Sequence, residues 1–204
     1  MKIVILVEGK TEMAFKDHLR SFLEARLQGA MPKLVFQPYH GRIPTNDKLK
    51  RIVSNRLSGK NPADHVIALT DVYTGTTPPV FLDAADAKVK MSDWVGSEER
   101  FHPHVAQHDF EAWLLPFWST IQKLARHKKT APNGAPETVN HNNPPSCHIK
   151  EIFEIGQGRD SYSKPRDAKR ILKDSDLPIA IEQCPELKSF INTILDICGG
   201  AKIP

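Results

Sequence analysis

Apolar stretches that alternate with helical patterns are the feature that most constrains the fold of this chain of 204 residues. Residues 3–7 are all apolar and mostly β-branched, which is typical of a parallel strand buried on both faces. The run breaks at Glu8-Gly9, and a helical pattern follows at residues 11–27. Further strand patterns lie around Leu34 and Phe36, at 65–71 and at 101–107. The alternation predicts an α/β fold with a mostly parallel four-stranded sheet flanked by helices.

The length fits one well-cored domain and is too short for two ordinary ones. We expect the α/β core at residues 1–126. Residues 127–147 combine Lys, Asn, Pro and Gly with little periodicity, which predicts an exposed loop. Helical patterns return at 148–155, 166–173 and 185–198, so we expect residues 148–204 to form a helical extension packed on the core.

The composition argues against several classes of protein. The longest apolar runs are far shorter than the roughly 18 residues that cross a bilayer, so we expect a cytoplasmic protein that does not contact membranes. The three cysteines are odd in number and lack C-x-x-C spacing, which argues against a disulfide framework or a zinc ribbon. The excess of 28 Lys and Arg over 24 Asp and Glu is compatible with a polyanionic partner but does not identify one.

Acidic residues follow three of the four predicted strands. Glu8 ends the first strand, Asp71 ends the third, and Asp109 and Glu111 follow the fourth. Ligands of open parallel sheets bind at the carboxyl ends of the strands, so these carboxylates are expected to meet at one edge. Clustered carboxylates repel one another unless a cation lies among them, and oxygen ligands suit Mg²⁺ or Mn²⁺. The sequence therefore predicts a divalent-metal site.

Each of these acids also has a simpler interpretation. Glu8 before Gly9 could start a turn or cap a helix, and Asp71 could cap the following loop. Asp109 could be the N-cap of the next helix, with Glu111 favoured in the first turn by the helix dipole. The coincidence of all of them at one edge favours the metal site.

Several familiar catalytic motifs are missing. Gly9-Lys10-Thr11 resembles the end of a phosphate-binding P-loop, but that motif requires glycine where this chain has Val4. The sequence also lacks a dinucleotide-binding G-x-G-x-x-G at the first turn, an H-E-x-x-H zinc motif and a G-x-S-x-G nucleophile elbow. Lys10 remains available as a point charge for a phosphate.

The other polar candidates are histidines and a basic segment. Most of the nine histidines are interpreted as structural or surface residues, and His108 is the one expected to touch the acidic edge. Lys164 and Arg166 lie in a basic segment that could be simply solvated or could contact phosphates.

Six groups of residues resemble a known family. Glu8-Gly9-Lys10-Thr11-Glu12 after a hydrophobic strand looks like the first TOPRIM motif, and Thr70-Asp71-Val72-Tyr73 occupies the place of the second, usually D-x-D. The blocks 100–115, 136–140, 162–164 and 184–187 are similar to a stand-alone TOPRIM-like group, the domain-of-unknown-function family 4276. The resemblance covers nearly the whole chain and implies a TOPRIM-like, Rossmann-like sheet.

The resemblance also implies a function. TOPRIM domains of topoisomerases, primases, recombination proteins and overcoming-lysogenization-defect (OLD) nucleases hold Mg²⁺ for phosphoryl transfer on nucleic acid. In this chain Glu8, Asp71 and Glu111 would bind the metal, assisted by Glu12 and Asp109. Members of the group are often encoded beside an ATPase, which suggests a separately encoded ATPase partner and a role in defence against phage.

The hypothesis is a Mg²⁺- or Mn²⁺-dependent nuclease that acts on nucleic acid, with DNA favoured over RNA. Glu8 and Asp71 would be catalytic together with Lys164, which would stabilise the transition state or the leaving oxygen as a lysine does in the related nucleases. Lys10, Lys164 and Arg166 would contact substrate phosphates. Tyr73 departs from D-x-D and would lie beside the metal rather than bind it. This departure favours the alternative, a non-catalytic subunit that docks on an ATPase or on nucleic acid.

Overall fold

The four strands form one sheet in which all neighbours are parallel. A computed structural model describes residues 1–29, 31–73, 75–139, 143–173 and 175–204. The strands lie in the order β2-β1-β3-β4. In the register of the sheet, Ile5 of β1 lies beside Phe36 of β2 and Ile67 of β3. The bounds are β1 Lys2–Val7, β2 Lys33–Pro38, β3 His65–Asp71 and β4 Phe101–Ala106.

Helices cover both faces of this sheet. Alternate residues of each strand point to opposite faces, so Ile5 packs into one core and Val4 into the other. The described α-helices are α1 Lys10–Arg26, α2 Asn46–Ser58, α3 Ala84–Val95, α4 Trp118–Ala125, α5 Pro145–Gln157, α6 Lys164–Leu172, α7 Leu177–Gln183 and α8 Pro185–Ile197. Helices α2 and α3 cover the Val4 face, whereas α1 and α4 to α8 share the core on the Ile5 face. The predicted α/β fold with a four-stranded sheet is confirmed, and the sheet is entirely parallel.

The segment after β4 differs from the helix predicted to open at Asp109. Phe110–Phe117 forms a 3₁₀ helix, and the α-helix begins only at Trp118. Pro116 lies inside the 3₁₀ segment. Since proline has no N–H, it cannot donate the hydrogen bond that a regular α-helix would need there. The segment is nearly all buried, and it packs against β4 and the C-terminal helices α5, α6 and α7.

The segment 127–147 was expected to be an exposed loop, but part of it is buried. Pro136–Thr138 forms a short 3₁₀ turn in which Pro136 and Glu137 are buried. Glu137 accepts hydrogen bonds from the Trp113 indole and from the Glu186 backbone N–H, at 3.0 Å each. This carboxylate therefore ties the turn to the 3₁₀ helix and to α8. Residues 140–142 lie outside the described part of the chain, and the proposed division at 126 and 147 stays a prediction.

In the described part of the chain, no helix combines the length and the apolar character needed to cross a membrane.

Candidate metal centre

The carboxyl edge of the sheet brings the predicted acids onto three adjacent strands. Glu8 follows β1, Asp71 is the last residue of β3, and Asp109 and Glu111 come after β4. Because β1, β3 and β4 are neighbours in the sheet, successive strand ends are separated by roughly 4.8 Å. The strand order therefore places the ends of the segments that carry the four acids at one edge of the sheet.

Glu8 connects the first two of these strands. Val7 pairs with Leu69, so Glu8 lies level with Thr70 of β3. The Thr70 hydroxyl donates a hydrogen bond to Glu8 Oε1, and the Asp71 backbone N–H donates to the same oxygen at 3.2 Å. Burial raises the pKa of Glu8 to about 7, although these hydrogen bonds oppose the shift. Glu8 is thus held in place as a carboxyl group that gains a proton readily.

Asp71 is surrounded by four other acids at the edge. Its pKa is raised well above the usual value, first by burial and then by the negative charges around it. Those charges belong to Glu8, Asp109, Glu12 and Glu111. Asp71 is therefore the residue at which the electrostatic influence of all the predicted metal acids converges.

Asp109 occupies the N-cap position that the sequence suggested. Its side chain makes no capping hydrogen bond to the 3₁₀ helix that follows. Instead, Oδ2 accepts a hydrogen bond from the Ser146 N–H at 3.1 Å, and the buried Oδ1 has no hydrogen-bond partner among the described residues. Burial raises the pKa of Asp109, against the opposing effects of Ser146 and Lys164. An acid that is 3% exposed and retains an unsatisfied oxygen is unusual unless a ligand completes it.

Glu111 is the most deeply buried of these acids, at 1% exposure, and it contacts the first residue of α6 and a residue just before this helix. Lys164 Nζ donates to Glu111 Oε2 at 3.1 Å, and the Tyr162 hydroxyl donates to Oε1 at 3.4 Å. Burial and the charge of Asp109 raise the pKa of Glu111 to about 7, with Lys164 opposing. Burial alone would lower the pKa of Lys164, but Glu111 and Asp109 outweigh it and raise it.

Glu12 serves the first helix as well as the acidic edge. Its Oε2 accepts a hydrogen bond from the Gly9 N–H at 3.1 Å, which caps the start of α1. The side chain is 5% exposed, and burial raises the pKa of Glu12 despite the nearby charge of Lys164. Glu12 therefore has a structural role as a cap of α1, whether or not it binds a metal.

The remaining predicted residues lie at different distances from the acids. Lys10 is exposed at the first residue of α1, and Tyr73 is 43% exposed just beyond β3. The Tyr73 N–H donates to the His108 carbonyl at 2.6 Å, which joins the ends of β3 and β4. Arg166 binds Asp167 instead of the acidic edge. Of the three predicted phosphate ligands, only Lys164 makes a described contact with one of the acids.

Two residues near the acids were not assigned a role from the sequence. Tyr162 contacts Glu111, and the pKa of Tyr162 is raised by burial and by the neighbouring acids. Arg42, in the loop after β2, is half-buried, and its positive charge lowers the pKa of Glu8. The Gly41 N–H donates to the Glu8 carbonyl at 3.1 Å, which holds this loop at the edge. Arg42 could have been found by considering the residues after every strand, including β2, which has no acid of its own.

The donor set has the chemistry of a site for a hard divalent ion. The acids supply only oxygen ligands, their pKa values are raised, and Asp109 keeps an unsatisfied oxygen. Among the described residues, however, no three His, Cys, Asp or Glu side chains are arranged to bind one ion as they stand. Ligation by three of these acids thus requires side-chain movement, such as a release of Glu111 from Lys164.

Comparisons with known proteins agree on the fold. The family described as "Domain of unknown function (DUF4276)" matches residues 7–195. The C-terminal region of the Burkholderia pseudomallei OLD protein matches with a TM-score of 0.55 at 13% identity, covering 97% of this chain and 98% of that one. The C-terminal region of the Xanthomonas campestris pv. campestris OLD protein matches with a TM-score of 0.50 at 15% identity, covering 97% and 95%. No curated protein matches the chain.

Proposed function

We propose that this chain, which belongs to the DUF4276 family, is a metal-dependent nuclease that acts on nucleic acid, with DNA favoured over RNA. The observation that carries the proposal is the group of acids around Asp71 at the carboxyl edge of the sheet, where burial and then the charges of these acids raise the pKa of Asp71. The TOPRIM-like fold, shared with the C-terminal region of OLD proteins, supports a site at this edge.

Glu8, Asp71 and Glu111 would hold Mg²⁺ or Mn²⁺, with Asp109 and Glu12 assisting. When bound, the ion supplies charge neutralisation at the scissile phosphate and lowers the pKa of water. The hydrogen bonds from Thr70 and Asp71 orient the Glu8 carboxylate. The hydrogen bond from Ser146 orients Asp109 and leaves Oδ1 available.

Lys164 would stabilise the charge that develops on the leaving oxygen. Its pKa is raised by Glu111 and Asp109, so it carries a positive charge at neutral pH. Its side chain is 47% exposed while its ammonium touches the buried Glu111, so it can reach from the acids towards a substrate. A fixed cation at the site where negative charge develops lowers the barrier more than the same charge in water does.

The wider setting of the proposal comes from the family resemblance. The nuclease would serve as the effector subunit of an ATPase-linked system that defends the cell against phage, with the ATPase encoded separately. Nucleic acid and this ATPase would be its partners.

One observation favours a second function. Tyr73 occupies the place of the second acid of D-x-D, and the described acids are not arranged to bind an ion as they stand. A non-catalytic subunit that docks on an ATPase or on nucleic acid would need neither feature. The two functions differ in whether the charge of Asp71 matters for anything beyond folding.

The decisive experiment is cleavage of supercoiled plasmid, single-stranded DNA and RNA in Mg²⁺ or Mn²⁺. We expect wild type to cut, and Asp71→Asn and Glu8→Gln to lose at least about 1000-fold in rate, roughly 4 kcal/mol of transition-state stabilisation. Asp93→Asn, an exposed acid on α3, is the matched control and should cut at the wild-type rate.

Cleavage that survives in both site variants would reject the acidic edge as the active site. Wild type that cuts nothing alone or with its ATPase, but still binds nucleic acid after Asp71→Asn, would favour the binding subunit.

A further inference from the structure

A basic groove runs along the surface between α1 and α6. Its volume is about 450 Å³. Helix α1 contributes an alanine, an aspartate and a histidine to the lining, whereas α6 and the residue after it contribute cations. The lining consists of Ala14, Asp17 and His18 on one side and Arg166, Lys169, Arg170 and Lys173 on the other.

The groove has a net positive charge even though two of its arginines are already paired. Arg166 and Arg170 donate to the buried Asp167 at 2.7 to 3.0 Å, which fixes their guanidinium groups at the surface. Lys169 and Lys173 are exposed and face only Asp17 as an acid within the lining. A surface of this kind attracts a polyanion, and the fixed guanidinium groups suit phosphate oxygens.

The groove lies along two helices whose first turns carry residues of the acidic edge. Lys164, whose ammonium contacts Glu111, is the first residue of α6, and Glu12 lies near the start of α1. These two helices pack against each other and lead away from the site. A chain that leaves the acids past Lys164 would therefore enter the groove directly.

The far end of the groove offers an aromatic ring. A second hollow of about 390 Å³ shares His18 with the groove and is lined by Phe22 and Arg26. The Arg26 guanidinium lies over the Phe22 ring, 5.0 Å from its centre, so a base that approaches this face would stack on the guanidinium that the ring supports. Cations along a groove, followed by an aromatic side chain on which a base can stack, are the features that bind single strands without sequence preference.

We propose that this groove holds a single strand of nucleic acid that extends from the acidic edge, with its phosphates along α6 and a base near Phe22. The inference rests on the proposed function, since it supplies the path of that function's substrate. It also assigns roles to Lys169, Lys173 and Phe22, and it gives Arg166 a place on the phosphate path rather than at the acids.

The test measures binding of a fluorescein-labelled oligothymidylate by anisotropy in EDTA, over a range of salt concentrations. Each phosphate contact on a single strand contributes roughly 0.7 to the slope of log affinity against log salt. We expect Lys169→Gln/Lys173→Gln to reduce that slope by about 1.4. The matched control is Lys50→Gln/Lys60→Gln, two exposed lysines on and just after α2 on the other side of the sheet, which should leave the slope unchanged.

A second variant tests the aromatic end. Phe22→Leu keeps an apolar side chain but removes the ring, and we expect single-strand affinity to fall at least about fivefold. Affinity for a duplex of the same length should change less than twofold, since paired bases cannot stack on the ring.

The outcomes separate this inference from the proposed function, because binding in EDTA does not require turnover. An unchanged salt slope in the groove variant would overturn the inference even if the protein cuts DNA. Equal losses for single strand and duplex would also overturn it. A reduced slope with a protein that cuts nothing would support the groove and count against the nuclease.

Discussion

Two carboxylates of this protein, those of Asp167 and Asp71, have opposite surroundings. Asp167 is fully buried on α6, and it accepts hydrogen bonds from Arg166, Arg170 and the Ser163 N–H. Burial alone would raise the pKa of Asp167, but these donors outweigh it and lower the pKa. For Asp71, burial and the neighbouring acids act in the same direction and raise the pKa.

The difference separates an acid whose charge stabilises the fold from one whose charge destabilises it. Asp167 gains from being ionised, because its donors stabilise the charge. Asp71 and its neighbours repel one another when ionised, so the folded protein is less stable at neutral pH than it would be without their charges. A protein retains such a group where a ligand makes use of it, which is why the acidic edge is the candidate site and Asp167 is not.

The largest expected effect is that of metal on stability. A metal ion that binds only the folded state stabilises it by about 2.7 kcal/mol at a hundred times its dissociation constant. We expect Mg²⁺ or Mn²⁺ to raise the free energy of unfolding of wild type by this order, measured by urea denaturation with and without EDTA. Asp71→Asn should lose most of the gain, whereas Asp167→Asn should keep it. Equal gains in both variants would place the ion elsewhere.

Next in size is the loss of Asp167. Asp167→Asn removes the charge that Arg166 and Arg170 pair with, so we expect the free energy of unfolding to fall by about 2 kcal/mol. Because both arginines are about half exposed, they regain water and limit the loss. Urea denaturation in EDTA measures it, with Asp93→Asn as the control within about 0.5 kcal/mol of wild type. If Asp167→Asn left the free energy of unfolding unchanged, the ion pairs of Asp167 would contribute nothing to stability.

A smaller effect of opposite sign is expected at Asp71. In EDTA at pH 8, Asp71→Asn removes one of several repelling charges and should raise the free energy of unfolding by about 1 kcal/mol. The same substitution is expected to abolish cleavage, so stability and activity should change in opposite directions. Destabilisation by Asp71→Asn in EDTA would show that the charge supports the fold, as at Asp167, and would remove the contrast.

The smallest effect is a change in the dependence of stability on pH. The folded-state pKa values of Glu8 and Glu111 are about 7, against an ordinary value of 4.5. The folded protein therefore binds more protons between these values, and stability without metal should fall as pH rises from about 4.5 to 7. Glu8→Gln should make the fall in stability less steep. Thermal denaturation at each pH measures this. A fall just as steep in Glu8→Gln would contradict the shifted pKa.

For Asp167 we expect stability to depend on pH in the opposite sense. Its folded-state pKa lies below the ordinary 3.8, so its stabilisation is present above that value and is lost as pH falls through the folded pKa. Asp167→Asn should change the profile only at the acid end.

The sequence predicted the strands better than the segments that complete the site. The bounds of β1 and β3 agree with their apolar runs, because a strand buried on both faces has few polar residues to blur its ends. The 3₁₀ helix was missed because its residues are almost all apolar, so periodicity could not distinguish it from an α-helix. Pro116 was the available signal.

The composition of the acidic edge was predictable, and its contacts were not. Strand ends indicated where Glu8 and Asp71 would lie, since the carboxyl ends of parallel strands share an edge. Tertiary packing alone decides that Ser146 donates to Asp109 and that Tyr162 reaches Glu111. Such contacts join segments that are distant in the sequence, and a single chain carries no pattern that reveals them.

Trp113 gives this protein a fluorescent reporter close to the acidic edge. It lies two residues from Glu111, its indole donates to Glu137, and its ring stacks on Phe190 with centroids 6.0 Å apart. The other two tryptophans, Trp94 and Trp118, could be replaced by phenylalanine to leave one emitter. Its emission wavelength and quenching would then follow rearrangements of the 3₁₀ helix in solution, without a label and at micromolar protein.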